Sequence, residues 1–153
     1  MISSWPASFW QGPVRTHCAC TTVLSNLGPV IESREHIGET FQDLAPAICR
    51  QRLVVEGRCA EPVDDVMIVR YLSELSDICG MTRLIEPVTH RSDTYGWAGW
   101  VHWESSGAHL YAWEQPLLFF SVDIYTCAPF SAPQVIEFTR EFFRADAIAA
   151  KAF

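Results

Sequence analysis

Three periodic regions dominate the chain. Between Gly96 and Cys127, GWAGWVHWESSGAHLYAWEQPLLFFSVDIYTC, bulky and small or polar residues alternate with a period of two, as in half-buried strands. His109, Tyr111 and Trp113 fall on one side of the middle run, with Leu110 and Ala112 on the other. Leu117–Cys127 is longer and more apolar. The pattern predicts a β-meander whose Glu104–Gly107 turn carries a carboxylate and two hydroxyls. Upstream, RLVVEG at Arg52–Gly57 predicts a buried strand. Val63, Met67, Tyr71, Leu75 and Cys79 then recur at helical spacing, with Pro62 suited to the first turn and Gly80 to the stop. Thr82–Thr89 predicts a further strand, at an edge or bulge because of Pro87. Ser131, with Gln134 three residues on, has the form of a capping box. Val135, Phe138, Phe142, Ala145 and Ala149 line one face of the helix it would open.

The order strand, helix, four strands, helix predicts an α+β fold: an antiparallel sheet covered on one face by two main helices. The other face is rich in aromatics and calls for a cover, which points to a homodimer pairing through its sheets. Residues 33–49 show a weaker helical pattern, with Ser33 as cap, Ile37, Phe41, Leu44 and Ile48 as a stripe, and Pro46 near the end. Residues 1 to about 30 have no period, apart from a short strand-like run at Cys20–Leu24. Trp5, Phe9 and Trp10 are too apolar for a free tail. The expected division is an irregular or helical extension over 1–49 packed on a domain at 50–153.

Composition narrows the function classes. The chain has 153 residues, enough for one core, with a net charge of −7. That charge argues against a nucleic-acid surface and suits a cationic small-molecule ligand. No apolar run is long enough for a membrane span, and the first residues lack signal-peptide character. A cytoplasmic location with mostly reduced thiols follows for the six Cys. His17, Cys18 and Cys20 lack a matching second pair of ligands, so no metal site is expected.

From residue 50 onward the chain resembles the bacterial S-adenosylmethionine decarboxylase proenzymes. Three segments carry the likeness: RQRLVVEG at 50–57, THRSDTYGWAGWVHWESS at 89–106, and SVDIYTC at 121–127. The last is the most specific. The resemblance implies a chain that cuts itself between Glu and Ser, turning the Ser into a pyruvoyl group. Its carbonyl captures the amine of S-adenosylmethionine and acts as an electron sink while CO2 leaves. Glu104-Ser105 fits the motif as written, whereas counting ungapped from Tyr95-Gly96 puts Ser106 at that place. Both registers stand at this point. Cys127 falls on the family's proton donor. Departures are equally specific. Tyr111 stands where the family has a His two residues before a Trp, and the nearest His is His109. Ala98 replaces a Ser of the small-residue step, and Glu114 is a shifted counterpart of a ribose-binding Glu.

The candidate catalytic residues are therefore Glu104, Ser105, Ser106, His109, Tyr111 and Cys127. Candidate ligand contacts are Trp97 and Trp100, whose faces attract a sulfonium, with Glu56, Glu61 and Glu114 as carboxylates. Each has an ordinary alternative: turn serines beside a Gly, strand aromatics of a core or interface, exposed carboxylates, a core thiol. Two function classes follow. One is an enzyme on S-adenosylmethionine or a related amino acid, either the pyruvoyl-dependent decarboxylase or an uncleaved form running elimination or cyclisation. The other is an inactive binder or partner subunit.

Overall fold

The computed structural model describes residues 43–153. The expectations for residues 1–42, including the Trp5–Trp10 cluster, His17, Cys18, Cys20 and most of the 33–49 helix, lie outside the described residues. Residues 43–49 form a turn, closed by Ile48 N–H on the Ala45 carbonyl at 3.0 Å.

The chain then runs β1 (Gln51–Arg58), α1 (Asp65–Ile78), β2 (Val88–Ser92), β3 (Gly96–Trp103), β4 (Ser106–Trp113), β5 (Phe119–Thr126), α2 (Ala132–Phe142) and β6 (Ala147–Ala152). The strands form one six-stranded sheet in the order β2-β3-β4-β5-β1-β6, and every pairing is antiparallel. Both helices cover one face, matching the expected α+β sandwich.

Alternation sorts the strand residues. Leu53 and Val55, Val101 and Trp103, Ala108 and Leu110, and Phe120, Val122 and Ile124 are buried under the helices. They meet Ile68, Tyr71, Leu72 and Leu75 of α1 and Val135 and Ile136 of α2. Gly99 lets α1 approach, because a Cβ there would collide with Ile68. Polar groups in this layer are satisfied internally. Trp103 Nε1 donates to Ser76 Oγ at 2.8 Å, and Ser76 Oγ donates to the Leu72 carbonyl at 2.7 Å. The Tyr71 hydroxyl meets Thr139 Oγ1 at 2.8 Å. Burial raises the pKa of the Tyr71 phenol, with the Thr139 bond opposing it, and pushes the Cys79 thiol up to about 12.

Both helix boundaries have a physical cause. Asp64 caps α1, its Oδ1 accepting Met67 N–H at 2.8 Å, so the helix opens after Pro62 rather than on it. Gly80, at φ +65°, ends it, and Met81 N–H bonds the Ser76 carbonyl at 2.8 Å. The predicted strand at 82–89 begins later, at Val88, and runs to Ser92; only Arg83 makes an earlier bridge, to Trp103. Ser131 is the α2 N-cap but makes no side-chain cap bond, so the capping box does not form. The helix stops at Phe142 instead of running on to Ala149. Ala147–Ala152 instead pairs with β1 from Arg58 to Leu53. Alanine's helix propensity is worth less than saturating an open strand edge. Among the described residues no helix is long and apolar enough to cross a membrane.

Candidate active site

The sheet face away from the helices carries most of the candidate chemistry. The strand registers arrange it in cross-strand rows. His102, Gly107, Tyr125 and Arg52 form the row nearest the β3–β4 turn. Next come Val88, Trp100, His109, Asp123 and Val54. The third row is His90, Ala98, Tyr111, Ser121 and Glu56. The last holds Gly96, Trp113, Phe119 and Arg58. Cross-strand neighbours lie about 5 Å apart at Cβ.

Ser105 and Ser106 occupy the turn at one end of this face, where β3 hands over to β4. Among the described residues, three side-chain contacts separate the two hydroxyls. Ser105 Oγ points inward, donating to Met81 Sδ at 3.0 Å, with Thr126 Oγ1 3.3 Å away. Ser106 Oγ lies 3.7 Å from Cys127 Sγ on the accessible side. Ser106 also sits at φ +123°, a backbone state disfavoured for any residue with a Cβ by about 1–3 kcal/mol. The Cys127 backbone N–H donates to the Ser105 carbonyl at 2.9 Å. Strand pairing therefore brings together a hydroxyl, a thiol and a polarised carbonyl from positions 21 residues apart in sequence. Glu104 is exposed in the same turn, its N–H bonded to the Thr82 carbonyl at 3.0 Å.

A hollow of about 400 Å³ opens toward the other end of the face. His90, Ala98, Tyr111 and Trp113 line it, with Tyr95 from the β2–β3 turn. Aromatic rings continue across the face: His90 on Trp100 at 5.1 Å, Tyr111 beside Trp113 at 6.1 Å, and Trp113 on Phe119 at 5.3 Å between centroids. Tyr111 is 45 % exposed and Tyr125 43 %, so a broad aromatic surface stands uncovered in the single chain. Tyr111 lies five residues along β4 from Ser106, roughly 16 Å at strand rise. The hollow and the hydroxyl–thiol pair thus lie toward opposite ends of β4, and one chain does not enclose them together. Toward β1 the face becomes charged, with Arg52 bonded to both Asp123 oxygens at 2.9 and 2.6 Å.

The remaining candidates divide. Glu56 is exposed on the same face, in the row of Tyr111. Trp100 is there too, but Trp97 is directed to the helix layer and packs against the core. Trp97 nevertheless borders the hollow, whereas Trp100 does not line it. Glu61 is exposed in the β1–α1 loop. Glu114 follows β4 and pairs with Arg91 at 3.2 Å. No cluster of His, Cys, Asp and Glu suited to a metal occurs among the described residues. Residues overlooked in the sequence are Met81 and Thr126, which anchor Ser105, and Asp123, which stands directly opposite His109. Asp123 and Thr126 were legible in principle from the period-two pattern of SVDIYTC. Met81 was not, since a loop residue beyond a helix has no periodic signal.

The architecture is that of a two-layer α+β sandwich with a hydroxyl–thiol pair at the β3–β4 end of the sheet. The sequence profile of the S-adenosylmethionine decarboxylase family matches residues 52–153, and the chain belongs to that family. Among solved structures, the adenosylmethionine decarboxylase from Aquifex aeolicus VF5 is similar, with a TM-score of 0.56 at 15% identity. The match covers 69% of this chain and 89% of that one, and at such identity it speaks for the fold. No curated protein sequence matches the chain.

Proposed function

We propose that the protein is an enzyme acting on S-adenosylmethionine or a related amino acid, in its orthodox form a pyruvoyl-dependent decarboxylase working as a homodimer. The observation that carries this reading is Ser106: a hydroxyl at φ +123°, 3.7 Å from the Cys127 thiol. A pyruvoyl group made from that Ser supplies the electron sink that decarboxylation needs. The chain's own residues do the rest. Cys127 holds the proton that the α-carbon takes up when CO2 leaves. The aromatic faces of Trp100 and Trp113 receive the sulfonium and the adenine. Glu56, on the same face, offsets the ligand's positive charge. A second copy laid on the exposed aromatic surface excludes water and closes the site.

A second reading has its own support. Ala98 and Tyr111 are direct cross-strand partners at the centre of the face. These are the positions where the resemblance leads one to expect a Ser and a His used in processing. An uncleaved chain would then place the same ligand for elimination or cyclisation, or bind it without turnover. Incubation with carboxyl-labelled S-adenosylmethionine separates these outcomes. Labelled CO2 supports the decarboxylase. A product that retains the label supports the uncleaved enzyme. Saturable binding with no product supports the binder.

A further inference from the structure

We infer that Gln51 is a positioning residue for the thiol of the site: its side-chain amide clamps the loop Cys127–Phe130 and so fixes Cys127 beside position 106. This deepens the reading above and rests on it in one respect, that Cys127 delivers the proton.

The clamp begins as an exception in the strand pattern. Along β1, Gln51 falls on the same side as Leu53 and Val55, which are buried under the helices. A polar amide in such an apolar row is unfavourable unless its donor and acceptor are both bonded. Gln51 meets that demand with one residue far along the chain. Its Nε2 donates to the Phe130 carbonyl at 3.1 Å, and its Oε1 accepts Phe130 N–H at 3.0 Å. The amide thereby acts as a backbone neighbour does in a sheet, beyond the Gln51–Thr126 rung that ends the β1–β5 ladder.

That rung also carries the candidate chemistry. Ser106, Thr126 and Gln51 are direct partners across β4, β5 and β1. After Thr126 the chain leaves the sheet for Cys127–Phe130 and then reaches the Ser131 cap of α2. The start of this loop is held by Cys127 N–H on the Ser105 carbonyl and by Ala128 N–H on Thr126 Oγ1, both at 2.9 Å. Pro129 has no N–H to donate, and Ser131 makes no side-chain cap bond. The far end is tied at Phe130, by Gln51 and by packing of Phe130 against the core. With both ends tied, Cys127 Sγ has a defined place, 3.7 Å from Ser106 Oγ. Catalysis is steeply sensitive to placement: a shift of about 1 Å can lower a rate by about 100-fold. Trp100, Trp113 and Glu56 lie in other rows of the sheet. Gln51 therefore acts on the proton step and not on ligand affinity.

Steady-state kinetics and thiol alkylation of the full chain test this together. Gln51→Leu keeps the bulk and removes both bonds. Gln51→Asn keeps the amide on a side chain one methylene shorter, and it serves if the Leu variant misfolds. Each should lower kcat for S-adenosylmethionine about tenfold or more, with KM within about twofold. Each should also speed alkylation of Cys127 by iodoacetamide several-fold relative to Cys59 in the same molecule, read by peptide mapping. Ser131→Ala should change neither, because that cap makes no side-chain bond. If Cys127→Ala abolishes turnover while the Gln51 variants keep the unmodified kcat and alkylation ratio, the clamp is overturned and the reading of the site stands. A loss confined to KM, or matched by an equal loss of folded protein, also overturns the clamp. If the unmodified chain has no turnover, or Cys127→Ala keeps it, the reading of the site falls. The alkylation ratio then decides the clamp by itself: a several-fold rise upholds it and an unchanged ratio overturns it.

Discussion

Replacing Ser106 by Gly and by Ala removes the hydroxyl from both proteins, so their stabilities compare like with like. At φ +123° any residue with a Cβ is strained by about 1–3 kcal/mol, and Gly is not. Gly in a strand otherwise loses about 0.5–1 kcal/mol to Ala through backbone entropy. The two effects oppose, and strain is the larger. Ser106→Gly should therefore be more stable than Ser106→Ala by about 1 kcal/mol, or roughly 4–8 °C in melting temperature for a domain near this size. Ala98, inside β3 at ordinary strand conformation, supplies the control. Ala98→Gly should lose about 0.5–1 kcal/mol. Thermal and urea unfolding followed by circular dichroism measure both. If Ser106→Gly falls below Ser106→Ala by the same margin seen at Ala98, the turn stores no strain at Ser106.

Alanine at Cys127, and separately at Tyr111, should lower turnover of S-adenosylmethionine about tenfold or more if each serves in proton transfer; near-normal rates in both would remove them from the chemistry. Ser76→Ala strips the buried Trp103 Nε1 of its acceptor and should cost about 1–3 kcal/mol in urea unfolding. Cys79 has a folded pKa raised from 9.0 to about 12, so its contribution is fully present below pH 9 and is lost as pH rises toward 12. Stability should fall there with a slope of up to about 1.4 kcal/mol per pH unit from this group, and Cys79→Ala should flatten that part of the profile. Trp100→Glu should hold the protein at its monomer elution volume in gel filtration while the unmodified chain elutes as a dimer.

Most of the sheet was legible because β1, β3, β4 and β5 are buried on one side and keep a strict period of two. Val101 and Trp103, or Phe120, Val122 and Ile124, can hardly lie elsewhere than under the helices. Elements decided by partners were not legible. Ala147–Ala152 reads as helix from propensity, yet it completes the sheet because β1 would otherwise present an open edge. Trp97 and Trp100 stand three positions apart, and in a strand an odd spacing sends side chains to opposite faces, so alternation assigns them different surroundings. At the site, the likeness of SVDIYTC located Cys127 and the ESS run located the hydroxyls. The two serines differ in backbone torsion and in the Cys127–Ser105 hydrogen bond, neither of which composition or spacing encodes.

The proposed function places the reaction of the ligand at Ser106 and Cys127. The most direct measurement is to incubate the purified protein with S-adenosylmethionine and a mild hydride reductant, then locate the captured ligand by peptide mapping. The account predicts one adduct per chain, on the residue at position 106. An unmodified position 106 under conditions where S-adenosylmethionine is being consumed would contradict it.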